Sequence, residues 1–214
     1  MTAPSEDFVA RLRRAGVVPV ITIEDAASAL PFARALRDGG LDVIEVTLRT
    51  AAALEAIRRI AADLPDVVVG AGTVLGKAQA EDSVAAGARF LVSPGLTPAV
   101  ADAGLSASVP LLPGIATATE AMPATERGIT FLKFFPTETS GGAAALKALA
   151  APLPHLRFCP TGGIDAAKAA IYLALPNVVC VGGSWMAPAD AVKAGDWARI
   201  ATLSAQASSL ARGR

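Results

Sequence analysis

The 214-residue chain carries 53% hydrophobic and 18% charged residues, and its 19 Lys and Arg balance its 19 Asp and Glu. That composition excludes a disordered chain, and without a basic tract or basic aromatic cluster it lacks the electrostatic footprint of a nucleic-acid binder. No run approaches the ~18 uninterrupted apolar residues of a membrane span, and the N-terminal stretch MTAPSEDFVARLRRAG has no apolar core of the secretory type; no membrane association and a cytoplasmic location are expected.

In chain order, an amphipathic helix is expected near residues 5–15, followed by a strand at 17–23, a helix at 25–39, a strand at 43–47 and a helix at 50–64. Strands at 67–70, 90–93 and 111–115 then alternate with helices at 77–87, 97–106 and 117–127. The last units are strands at 131–135, 157–159 and 178–181, helices at 143–151 and 165–175, and a closing helix near 190–210. Asp38-Gly39-Gly40, Ala86-Gly87 and Arg127-Gly128 supply helix stops, while Thr50, Thr97-Pro98 and Asp165 supply starts. The strands read as continuous apolar runs, as they do when helices cover both faces of a parallel sheet. Eight β-then-α units over roughly 200 residues point to an α/β fold of the (β/α)8 TIM-barrel type, with residues 1–214 as a single domain. A doubly wound open sheet, the competing architecture, usually has fewer strands.

In such a barrel the site lies at the carboxyl ends of the strands. Along Val43-Ile44-Glu45-Val46-Thr47-Leu48-Arg49, alternation groups Glu45, Thr47 and Arg49 on one side and Ile44, Val46 and Leu48 on the other. The polar set either faces the barrel mouth or forms an internal Glu–Arg pair on an exposed strand end. Gly70-Ala71-Gly72-Thr73 lets backbone approach something closely and adds a hydroxyl. It is not a dinucleotide fingerprint, because the third glycine of GxGxxG would fall at Leu75.

FLKFFP (131–136) places one lysine among four large apolar side chains. Alternation turns Lys133 inward with Phe131 and Phe135, where desolvation and any neighbouring cation favour the free amine that adds to a ketone. The bland alternative is a lysine snorkelling to solvent or paired to a carboxylate. Thr161-Gly162-Gly163-Ile164-Asp165 and Gly182-Gly183-Ser184-Trp185 follow the seventh and eighth strands, where glycine turns and a helix N-terminus can cradle a phosphate. His155 is the only histidine, and Cys159 and Cys180 sit in apolar runs without CxxC spacing. A reduced cysteine pair, no metal and no cofactor are therefore expected.

The segments GGLDVIEVTLRT (39–50), VGAGTVL (69–75), VSPGLT (92–97), PLLPGI (110–115), FLKFFP (131–136), RFCPTGGI (157–164) and VGGSW (181–185) together resemble the 2-keto-3-deoxy-6-phosphogluconate (KDPG) and 4-hydroxy-2-oxoglutarate (KHG) aldolase family. The resemblance runs from about Val17 into the 190–196 region. It implies a class I aldolase in which Lys133 forms the Schiff base and Glu45 is the general acid/base. Arg49 and Thr73 would hold the pyruvate carboxylate, and Pro94 and Phe135 would shape the pyruvyl pocket. Thr161, Gly162, Gly163 and Ser184 would hold the phosphate. The implied partners are a phosphorylated 2-keto acid, pyruvate and glyceraldehyde 3-phosphate, and the implied assembly is a homotrimer. Alternatives are an aldolase preferring the galactonate epimer or the unphosphorylated substrate, a metal-dependent epimerase, a non-catalytic phosphometabolite-binding barrel, and an assembly subunit.

Overall fold

The computed structural model describes residues 5–107 and 109–211. Helix α1 (Glu6–Ala15) is capped by the Ser5 hydroxyl, which accepts from the Phe8 N–H. Glu6 and Asp7 lie in its first turn and Arg13 and Arg14 in its last, each complementing the helix dipole. Strand β1 (Val17–Ile21) follows, and β2 (Val43–Thr47), β3 (Val68–Gly72), β4 (Leu91–Val92) and β5 (Leu111–Leu112) complete one run of parallel staves. Strands β6 (Gly114–Ile115), β7 (Phe131–Phe134), β8 (Arg157–Pro160) and β9 (Val181–Gly183) complete the rest. The intervening helices are α2 (Ala29–Asp38), α3 (Ala53–Asp63), α4 (Lys77–Ala85), α5 (Pro98–Ser106), α6 (Ala118–Glu126), α7 (Gly142–Ala150) and α8 (Ala166–Leu173). Helices α9 (Ala189–Ala194) and α10 (Trp197–Ser209) end the described chain.

The pairing order β5-β4-β3-β2-β1-β9 in one sheet and β6-β7-β8 in the other closes into a ring. On one side, β5 and β6 are halves of a single predicted strand. Pro113 has no N–H to donate, so the chain pairs with β4 before it and with β7 after it. On the other side, the bridges Phe158↔Val178 and Thr161↔Gly182 join β8 to the β9 segment. The result is the expected (β/α)8 barrel with its fifth stave split.

Alternation divides the core into two compartments. Ile44, Val46, Leu132, Phe134 and Phe158 belong to the apolar layer between staves and helices. Val43, Val68, Phe90, Phe131 and Cys159 fill the barrel interior, and Leu12, Phe8 and Val9 of α1 pack on that interior cluster. The Phe8 and Phe90 ring centroids are 5.4 Å apart, so α1 plugs the amino-terminal mouth and leaves the carboxyl end for the site.

Several expected boundaries move, each for a local reason. The first strand stops at Ile21, and the 25–39 helix begins as a 3-10 turn over Ala26–Ser28 capped by Asp25. Thr50 does not cap α3; its hydroxyl donates to Ile23 O at 2.5 Å, and the helix starts at Ala53. The last strand lies at Val181–Gly183, because pairing with β1 sets the register from Val17↔Val181 onward. The expected 190–210 helix is two helices: Gly195 takes φ 66, and the Asp196 side chain caps the second by accepting from Arg199 N–H. Thr97 and Asp165 do cap their helices, each accepting from a backbone N–H three residues on.

Candidate active site

Lys133 is the third residue of β7, level with Gly114 on one neighbour and Cys159 on the other. It shares the inward phase with Phe131 and is 6% exposed. Glu45, in the inward phase of β2 with Val43, is 4% exposed, and its Oε1 lies 3.3 Å from Lys133 Nζ. The lysine does not snorkel out; it is paired to a carboxylate, the other half of the bland alternative, but inside the barrel. The same Nζ lies 5.1 Å from the centroid of the Phe135 ring.

The glycines of β3 make that meeting possible. A Cβ on Gly72 would fall 2.1 Å from Glu45 Oε1, and one on Gly70 would fall 2.4 Å from the Phe90 ring. The close approach expected of these glycines is to side chains of the barrel interior. Thr73, the next residue, is the only non-glycine with positive φ (61) among the described residues. A β-branched side chain in that region costs about 1–3 kcal/mol, and such strain gathers at functional sites.

Arg49 stands exposed just beyond β2 and donates from Nε to Thr73 Oγ1 at 3.3 Å. Among the described residues it forms no ion pair with Glu45, so the internal Glu–Arg pair is not what the structure shows. Thr47, in the same phase, is buried and structural. Its hydroxyl donates to Ile21 O at 3.1 Å, so its 2.9 Å contact with Thr22 Oγ1 has Thr22 as donor. Pro94 is exposed beyond β4, and Phe135 is half-buried beyond β7.

The glycine turns form the other half of the site. Thr161 N–H donates to Thr137 Oγ1 at 2.7 Å and to Phe134 O at 2.9 Å. Gly162 and Gly163 both take positive φ (103 and 77) ahead of the Asp165-capped start of α8. Ser184 is exposed after Gly182-Gly183. A cavity of about 960 Å³ opens here, and Arg49, Phe135, Thr161, Gly162, Gly163 and Ser184 line it. Lys133, Glu45, Thr73 and Pro94 are not part of its wall, but Phe135 is, and the Lys133 amine lies under that ring.

Sequence reasoning missed part of this wall. Thr22, Lys193 and the Phe32–Trp197 pair, stacked with centroids 5.6 Å apart, also line the cavity. It also missed a cluster behind the glycine turn: Glu138 accepts from Tyr172 Oη and pairs with Lys168 Nζ at 2.9 Å. The Tyr172 hydrogen bond, then Lys168, hold the Glu138 carboxyl below its ordinary range. Burial, then Glu138, push the Tyr172 phenol up. No local signal announces a contact between residues about 30 positions apart. Among the described residues no three His, Cys, Asp or Glu come together as a metal set, and no helix is long and apolar enough to cross a membrane.

A closed barrel with a buried amine–carboxylate pair near its carboxyl-end cavity has the architecture of the (β/α)8 carbon–carbon lyases, and the comparisons with known proteins assign the chain to that class. The sequence model for KDPG and KHG aldolase matches residues 8–203. The chain is 52% identical over 191 residues to 2-dehydro-3-deoxy-phosphogluconate aldolase of Pseudoalteromonas atlantica, covering 89% of each chain. It is 50% identical over 191 residues to the KHG/KDPG aldolase of Escherichia coli K12, covering 89% of this chain and 90% of that one. A crystal structure of KDPG aldolase from Legionella pneumophila, with pyruvate captured as a covalent carbinolamine intermediate, superposes with TM-score 0.90 at 44% identity, covering 95% of this chain and 97% of that one. The chain belongs to the KDPG and KHG aldolase family.

Proposed function

We propose that this chain reversibly cleaves 2-keto-3-deoxy-6-phosphogluconate to pyruvate and glyceraldehyde 3-phosphate, and 4-hydroxy-2-oxoglutarate to pyruvate and glyoxylate, through a Schiff base on Lys133. The observation that carries this reading is the Lys133 amine buried in the barrel 3.3 Å from the Glu45 carboxylate.

The lone pair of Lys133 Nζ adds to the C2 ketone to give a carbinolamine, and loss of water leaves a protonated imine. The C3–C4 electron pair then moves toward the imine nitrogen as that bond breaks. Glu45, directly or through one water, takes the C4 hydroxyl proton, and the aldehyde product departs. The remaining enamine regains a proton at C3 from Glu45, and water hydrolyses the imine to free pyruvate and the amine. Because Glu45 touches the nitrogen itself, one carboxylate serves proton transfer at both stages. Arg49, steadied by Thr73, presents a planar cation to the substrate carboxylate. Pro94 and Phe135 bound the pyruvyl group. Thr161, Gly162, Gly163 and Ser184 take the phosphate on backbone N–H groups and hydroxyls, supplying remote binding energy that aligns the scissile bond.

On the family resemblance, the assembly is a cytoplasmic homotrimer. The test is pyruvate release from the phosphorylated six-carbon acid, with Lys133→Ala as control. The reading expects turnover by the natural protein and none above background for the variant; near-normal turnover by Lys133→Ala contradicts it.

A further inference from the structure

The loop after β7 carries no assigned role, yet it is stitched to the glycine turn after β8. Thr137 N–H donates to Thr161 O at 2.9 Å, and Glu138 N–H donates to Gly162 O at 3.2 Å. The Glu138 side chain then crosses to α8, where it accepts from Tyr172 Oη and pairs with Lys168 Nζ at 2.9 Å. Lys168 Nζ also donates to Gly163 O at 3.0 Å, so the same cation grips the turn and the carboxylate. Gly163 makes room for this arrangement: a Cβ there would fall 2.7 Å from Glu138 Cγ. The ionised forms persist at neutral pH, since Tyr172 and Lys168 lower Glu138 and Glu138 raises Lys168.

Two glycines have no side chains with which to hold their own conformation, and a binding turn that must be ordered at each encounter gives up affinity. We propose that Glu138 is a positioning residue that, through Lys168 and Tyr172, clamps the Gly162–Gly163 turn from behind in the shape that receives the substrate phosphate. The proposal rests on the phosphate-cradle reading above. The clamp also pairs the Lys168 charge with Glu138 behind the turn. The amine end is untouched, because Glu138 contacts neither Lys133 nor Glu45 among the described residues.

The clamp therefore acts on phosphorylated substrates alone, which a general loss of folding would not. In Glu138→Ala, KM for the phosphorylated six-carbon acid should rise about tenfold with kcat nearly unchanged, while kcat/KM for unphosphorylated 4-hydroxy-2-oxoglutarate stays within about twofold. Glu138→Gln keeps the side-chain volume but loses the ion pair, and its KM should rise about threefold; it covers the case in which Glu138→Ala fails to fold. Unchanged KM in both variants, or an equal loss on both substrates, overturns the inference. A natural protein that turns over neither substrate overturns the functional reading instead.

Discussion

The two ends of the site are built from opposite materials. At the amine end, Lys133 and Glu45 project into the barrel from β7 and β2, are almost fully buried, and meet through their own side-chain atoms. At the proposed phosphate end, Gly162 and Gly163 offer only backbone, lie toward solvent, and are backed by Lys168, which donates to Gly163 O and pairs with Glu138. Chemistry on a carbonyl needs side chains held dry and in fixed relation, and strands of a closed barrel provide that rigidity. Holding a phosphate needs an array of N–H donors, which glycine turns expose most readily. The same barrel therefore spends burial at one end and backbone access at the other.

Substitutions can break this contrast, most severely at the amine end. Glu45→Gln keeps the shape but not the base, and kcat should fall about 10²–10⁴-fold while the pyruvate imine still forms. Fast proton exchange at pyruvate C3 in that variant, read by NMR, would remove Glu45 from its role. Gly72→Ala should come next. Its methyl would fall 2.1 Å from Glu45 Oε1, and moving that carboxylate by an ångström costs on the order of 10²-fold in kcat with KM for the phosphate ester nearly unchanged.

Away from both ends, Leu12→Ala empties part of the plug under the barrel. It should cost about 3 kcal/mol in denaturant melts and leave kcat unaltered at 25 °C. The smallest effect is on pH. Glu138 has a carboxyl lowered from its ordinary value of 4.5, so its contribution to stability is fully present above that value and is lost as the pH falls through the lower folded value. As the pH falls through 4.5 and below, Glu138→Gln should lose less stability than the natural protein, as followed by thermal melting in a pH series.

What the chain disclosed before its structure divides along the same line. Period-2 alternation in FLKFFP and VIEVTLR grouped Lys133 with Phe131 and Glu45 with Thr47, because strand phase is local, and the closed wall turns those faces inward. The glycine turns were equally legible. Their supports were not: Tyr172 lies 34 residues from Glu138, and only the meeting of α8 with the loop after β7 brings them together. Boundaries failed where pairing or a distant acceptor outweighed local preference. Thr50 gave its hydroxyl to Ile23 O instead of to a helix end, and Pro113 made one stave into two. Gly195, with φ 66, divided the expected closing helix into two. The glycines of β3, expected to let backbone approach something closely, do so against Glu45 and Phe90.

Reduction of the protein with borohydride in the presence of pyruvate, followed by peptide mass mapping, addresses the nitrogen directly. One stable three-carbon addition should appear on Lys133, with activity lost in proportion to labelling. Labelling of a different lysine, or full inactivation-free reduction with no adduct, would contradict a nucleophilic amine at that position.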